Sequence, residues 1–221
     1  MKYCHLLESL KSKSDGKFAE FSKTLSNSDY IVIGVKNPEL RAIVKDHIKD
    51  QELLLEDFEV GKYLEVDFIY FGLGISREKT NERKLEFLKS NIHKAKSWAI
   101  TDTASTYIKK ITFDEFWNFF LPMHNSKNTY DRRMAYVLGL KQYKDEDTLK
   151  VLAHINKTEE YIVMMAEAWL LATIAIVFPR EIYNFLSNLD DMTLVRKTVS
   201  KIVESFRIDE ETKQKFKGLR K

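Results

Sequence analysis

The sequence predicts an all-α fold, an α-solenoid in which helix pairs stack into a curved domain with one concave face. Three observations carry this expectation. Only 7 Gly and 3 Pro occur in 221 residues, and so few breakers favour long helices over tight hairpins. Amphipathic helical patterns follow one another with short connections, as expected for antiparallel neighbours. An outstanding side chain recurs at Trp98, Arg133 and Trp169, spaced 35 and 36 residues apart. About one helix pair fits each interval, as in helical-repeat proteins.

In chain order, "GKFAEFSKTL" (16–25) and "NPELRAIVKDHIKD" (37–50) are amphipathic. The second has Asn37 as a capping residue and Pro38 for the first helical turn. Between them, "YIVIGV" (30–35) is β-branched and short. It finds no convincing second strand to pair with and reads as a buried connection. Further helices are expected at 52–58, 63–74, 79–94, 97–109, 112–121, 128–142, 145–155, 158–177, 179–188, 190–205 and 209–218. Several open with N-terminal signals: Thr112 before Asp114 and Glu115, Thr158 before Glu159 and Glu160, Pro179 before Glu181, and Asp190–Asp191. No Pro/Gly/Ser-rich linker divides the chain, so residues 1–221 are expected to form a single domain.

Composition removes several classes of function. Charged residues make up 31% and hydrophobic residues 44%, as in soluble globular proteins. A single cysteine, Cys4, excludes an internal disulfide, and the five histidines are scattered. No Cys/His cluster has metal-ligand spacing, so neither metal nor cofactor is expected. The N-terminus lacks an apolar signal region, and "AWLLATIAIVF" (168–178) is too short to span a bilayer. A reducing cytoplasm and no membrane partner follow as expectations. The net charge is +3, but residues 196–221 hold nine Lys/Arg against four Asp/Glu. That basic end suits either a polyanion or a solvated terminal helix.

The chemistry concentrates in four residues. Trp98 and Asp102 are four apart in "KSWAITDTASTY" (96–107) and share one helix face. With Arg133 and Trp169 they offer flat indole walls for sugar faces or cations, a carboxylate for developing positive charge, and a guanidinium for phosphate. This set suits cleavage of a glycosidic bond through an oxocarbenium-like transition state. An alkylated purine is already cationic and leaves without much acid help. Arg41, Lys45 and Lys49 follow helical spacing after Pro38 and suit DNA contact or a solvated stripe. Plainer readings stand beside the others: core packing for Trp98 and Trp169, a surface acid or a partner of Lys96 or Lys109 for Asp102, a solvated basic face for Arg133. Trp117, in "FDEFWNFF" (113–120), reads as core packing.

These segments resemble the AlkD-type DNA alkylation repair family of helical-repeat (HEAT-like) DNA glycosylases. The resemblance is carried by "VIGVKNPELRAIVKD" (32–46), "SWAITD" (97–102), "RRMAYVLGLKQY" (132–143) and "MAEAWLLATIAIVFP" (165–179), in order from about residue 17 to 218. It implies that Asp102 is the catalytic aspartate, that Trp98 and Trp169 pack on the deoxyribose of the damaged nucleotide, and that Arg133 contacts the DNA backbone. It implies a monomeric, monofunctional enzyme without cofactor that acts on N3- and N7-alkylated purines in double-stranded DNA without base flipping. Two departures stand out. Ala172 occupies a position where typical members can carry a basic residue, and the N-terminal aromatic of the family's site has three possible counterparts, Phe18, Phe21 and Tyr30. The main alternative is a non-catalytic helical-repeat protein that binds bent or branched DNA; a protein-binding repeat domain is a third.

Overall fold

A computed structural model describes residues 1–26, 28–155 and 158–220. Among them the chain is helix after helix, and its extended pairing is confined to an isolated bridge between Ile31 and Tyr63. It divides into two compact units, Met1–Lys109 and Lys110–Lys221. Among the described residues, no helix is long and apolar enough to cross a membrane.

The first unit contains α1 (Tyr3–Ser12), α2 (Gly16–Ser26), α3 (Asn37–His47), α4 (Leu64–Arg77), α5 (Asn81–Asn91) and α6 (Trp98–Tyr107). Its central element is α4, buried from Glu65 to Ile75 and packed by α3, α5 and α6. Two glycines permit these approaches. A Cβ at Gly72 would lie 2.7 Å from Val44 of α3, and one at Gly74 would lie 2.0 Å from the Phe87 ring of α5. At the end of α4, the Arg77 guanidinium donates to the carbonyls of His47, Ile48, Asp50 and Leu53. It thus closes carbonyls left open where α3 stops. The N-terminal helix α1 was not expected from sequence; it buries Leu6 and Leu10, one turn apart.

Segment 30–35 is the connection that the sequence predicts, buried at Tyr30 and at 33–35, while Ile31 is exposed and bridges to Tyr63. Ile33, Gly34 and Val35 donate their backbone N–H groups to the buried Glu65 carboxylate, at 3.0, 2.7 and 3.3 Å. Gly34 has φ +98°, and a Cβ there would meet the Asp15 carbonyl oxygen at 2.3 Å. Its turn toward α2 therefore requires glycine.

The second unit contains α7 (Phe113–His124), α8 (Thr129–Gly139), α9 (Tyr161–Ile174), α10 (Pro179–Ser187), α11 (Met192–Glu204) and α12 (Glu210–Lys217). Here α9 is central, packed by α8 and α11, with α7 against α8. Thr112 and Glu115 form a reciprocal capping box at the start of α7. Asn128, Asp191 and Asp209 cap α8, α11 and α12.

Several expected boundaries change, each for a local reason. Asn37 does not cap α3: Lys36 occupies the cap position and Asn37 is already helical. Residues 52–58 form only a 3₁₀ turn, Leu55–Asp57. Helix α7 runs through Pro122 to His124; proline removes one hydrogen bond, to the carbonyl of exposed Asn118. Residues 145–155 wind as 3₁₀ turns, Glu146–His154, with Thr148 and Val151 buried three apart. Thr158 holds the turn before α9 by accepting from the Glu160 N–H, and the helix starts later, at Tyr161.

Glu65 anchors segment 33–35 to α4 through three buried N–H groups. Glu65→Ala leaves three buried N–H groups unpaired and is expected to cost about 3 kcal/mol. Urea unfolding measures this as a lower midpoint at unchanged slope. A midpoint equal to that of the unsubstituted protein would contradict the assignment.

Candidate functional site

In the first unit the site is built where α2 ends and α6 begins. The last carbonyls of α2 lack helical partners, and α6 supplies them. Trp98 Nε1–H donates to the Leu25 carbonyl at 3.2 Å, and the Ser97 hydroxyl to that of Ser26 at 3.4 Å. Ser97 also caps α6 by accepting from the Ala99 N–H. Upstream, the Lys96 N–H donates to the Tyr30 hydroxyl at 3.0 Å, and that hydroxyl donates to Asp67. Asp67 also accepts from the Gly61 N–H at 2.8 Å. Burial is the main influence on Asp67 and lifts its pKa to about 6, against the lowering effect of its donors.

Trp98 lines an open, mainly apolar cavity of about 250 Å³ with Phe18, Phe21 and Leu25 of α2 and Leu40 and Phe68 from α3 and α4. This separates the three aromatics left open by sequence: Phe18 and Phe21 border the cavity, whereas Tyr30 is fully buried and serves Asp67. Asp102 is half-buried, one turn beyond Trp98. The Thr101 hydroxyl lies 3.2 Å from Asp102 Oδ1 and 2.8 Å from the Trp98 carbonyl. Arg41 is exposed on α3, donates to Thr106 of α6 at 3.1 Å, and lies over the Phe68 and Tyr107 rings. Lys45 is exposed one turn further along α3. The first unit therefore brings together Trp98, its aromatic neighbours on α2, and Arg41 beside the last turn of α6.

The second unit holds the other two residues. Trp169 is 37% exposed on α9, a helix otherwise almost wholly buried. It borders a cleft of about 200 Å³ with Ala172, Lys201 and Arg207. Arg133 is only 5% exposed, and its guanidinium donates to the Ile162 carbonyl at 2.6 Å, tying α8 to the start of α9. Neighbouring Arg132 is paired with Glu160. Trp117 stacks on Phe113 and Phe120, as its aromatic surroundings in sequence suggest. Among the described residues, no group of His, Cys, Asp and Glu is arranged to hold a metal ion.

Sequence reading missed a polar cavity of about 570 Å³ in the second unit, bordered by His124, Arg132, Tyr136, Glu160 and Glu167. Glu167 is buried, and its Oε2 has no hydrogen-bond partner among the described residues. Burial lifts its pKa to about 8, with Tyr136 acting in the opposite direction. Burial also lowers His124, helped by His154 and Arg132.

A carboxyl group with a raised folded-state pKa binds its proton more tightly in the folded than in the unfolded protein. The resulting stability is present below about 4.5 and is lost as pH rises toward about 8. Glu167→Gln mimics the protonated form. It is expected to stabilise the protein by about 1–3 kcal/mol at pH 8.5 and to be near neutral at pH 4.5. Denaturant titrations at the two pH values check this, and an equal effect at both would contradict it.

Comparison with known proteins adds the ancestry. The sequence profile of the family described as DNA alkylation repair enzyme matches residues 6–206. No curated protein matches. Among solved structures, the fold is similar to that of a predicted DNA alkylation repair enzyme from Enterococcus faecalis. The TM-score is 0.68 at 17% identity, over 87% of this chain and 98% of that one. At that identity the likeness concerns the helical-repeat fold, while the profile match spans nearly the whole chain. The chain belongs to the DNA alkylation repair enzyme family.

Proposed function

We propose that this protein is a monofunctional DNA N-glycosylase. It releases cationic N3- and N7-alkylated purines from double-stranded DNA without base flipping, and acts as a monomer without cofactor. One observation carries the reading: Trp98 is fixed by its hydrogen bond to Leu25 at the lip of an apolar cavity, with Asp102 one turn further along the same helix face.

An indole held by its N–H has a defined orientation and presents its face to a sugar. As the glycosidic bond breaks, its electron pair passes to the alkylated purine, which leaves neutral, and positive charge develops on the deoxyribose. A carboxylate about 4 Å from that charge, at an effective dielectric of about 20, stabilises it by about 4 kcal/mol. That corresponds to about 10³-fold in rate. Water then adds to the sugar cation, loses a proton, and leaves an abasic site. In this reading Trp169 supplies a second indole wall. Arg41 and Lys45 meet backbone phosphates, and Arg133 acts at the backbone from a position that also fixes the start of α9.

A second reading, a non-catalytic repeat protein bound to bent or branched DNA, gains support from one feature: Arg133, matched to a backbone contact of the family's site, is largely buried. Both readings predict salt-sensitive DNA binding; only the first predicts base release.

The test is a base-release assay on duplex DNA carrying 7-methylguanine. Asp102→Asn is expected to lower the single-turnover rate by about 10²–10³-fold while changing the Kd for DNA by less than about threefold. Release no faster than the Asp102→Asn variant, with DNA bound, would reject catalysis and favour the second reading.

A further inference from the structure

The cleft beside Trp169 contains cations that α9 does not supply. Lys201 of α11 and Arg207, just after it, line the same cleft as Trp169 and Ala172. No salt bridge engages Lys201 or Arg207 among the described residues. Glu204 also borders the cleft and leaves one cation in excess.

Between these cations the chain displays Phe206 with 103% of its surface exposed. The turn that carries it is tied down on both sides. The Ser205 N–H donates to the Ile202 carbonyl at 3.2 Å, and the Arg207 N–H donates to the Ser205 hydroxyl at 3.2 Å. Ile208 is buried, and the Arg207 guanidinium lies over the Tyr143 ring at 5.4 Å. A phenylalanine held in water on an anchored turn has no packing role among the described residues.

Duplex DNA fits this chemistry. Backbone phosphates attract paired cations and set register, and apolar side chains that enter between base steps occur where a protein unstacks or bends the duplex. We propose that Lys201, Phe206 and Arg207 form a DNA-contact element in which the two cations hold backbone phosphate and Phe206 inserts as an apolar wedge between neighbouring base pairs. The element rests on the reading of this protein as a binder of duplex DNA. It places phosphate contact on α11 and the turn that follows, beside the position where α9 carries Ala172.

The test uses the full chain and duplexes that carry one 2-aminopurine at successive positions around a tetrahydrofuran abasic site. Unsubstituted protein is expected to raise the fluorescence about threefold or more at one position as the stack opens. Phe206→Ala should remove that rise, and Phe206→Leu, still an apolar wedge, should keep it. Lys201→Ala with Arg207→Ala should reduce the slope of log K against log salt by about 1.8, near 0.9 per phosphate contact. Circular dichroism verifies that each variant is folded. A flat response at every position, an undiminished rise with Phe206→Ala, or an unchanged salt slope each overturns the proposal. Base release from 7-methylguanine DNA separates the two readings. Its absence with the wedge signal intact rejects only the glycosylase, and its presence without the wedge signal rejects only this element.

Discussion

Two buried carboxylates on the first turn of α4 hold the first unit's site in place. Glu65 gathers three backbone N–H groups from segment 33–35, and Asp67 takes the Tyr30 hydroxyl and the Gly61 N–H. Buried anions are costly unless such donors surround them, and the start of a helix adds a favourable dipole. Tyr30 passes the constraint onward by accepting from the Lys96 N–H at the threshold of α6. The position of Trp98 therefore depends in part on Tyr30 and Asp67, which do not line its cavity. A substitution at Tyr30 or Asp67 acts on the indole through the backbone of α6.

The pattern of helices was legible because its causes are local: sparse breakers, capping residues and apolar periodicity. The errors have local causes too. The α1 helix escaped notice because Leu6 and Leu10 are its only buried residues in a polar segment. The 3₁₀ turns at Glu146–His154 differ from an α-helix in having buried residues spaced three apart, Thr148 and Val151, which so short a segment barely separates from 3.6. The pair Trp98 and Asp102 was legible because helix geometry alone puts i and i+4 on one face. The choice among Phe18, Phe21 and Tyr30 was not, because it depends on Asp67, a tertiary partner 37 residues from Tyr30. The burial of Arg133 was equally hidden, since its acceptor is a backbone carbonyl, which sequence does not mark.

Helix α9 shows how function sits against stability in the second unit. It is apolar on nearly every side, as a central helix must be. Beyond Tyr161 at its first position, Trp169 is the exposed side chain of the helix. Leaving a third of an indole in water forgoes about 2 kcal/mol of burial. Departures of this kind are expected where a protein binds something, and the cavity beside Trp98 repeats the pattern with exposed Phe21 and Leu25 at its edge.

Aromatic surface and cationic surface do different work against DNA. Phosphate contacts are long-ranged, fall with salt, and are indifferent to the state of a base. They bring a duplex to the protein without finding damage. Apolar contacts act only at van der Waals distance, so they discriminate where stacking is already weakened and a sugar or base face is accessible. In this chain the two kinds are interleaved: Arg41 lies beside the last turn of the helix that carries Trp98, and Lys201 and Arg207 flank Trp169. If the chain acts as proposed, an indole that grips only a loosened nucleotide gains more at an alkylated purine, whose bond to the sugar is already weak, than at a sound one. Under the proposed glycosylase reading, selectivity for damage requires no pocket for the base, because the lesion is recognised by how readily its sugar takes up positive charge.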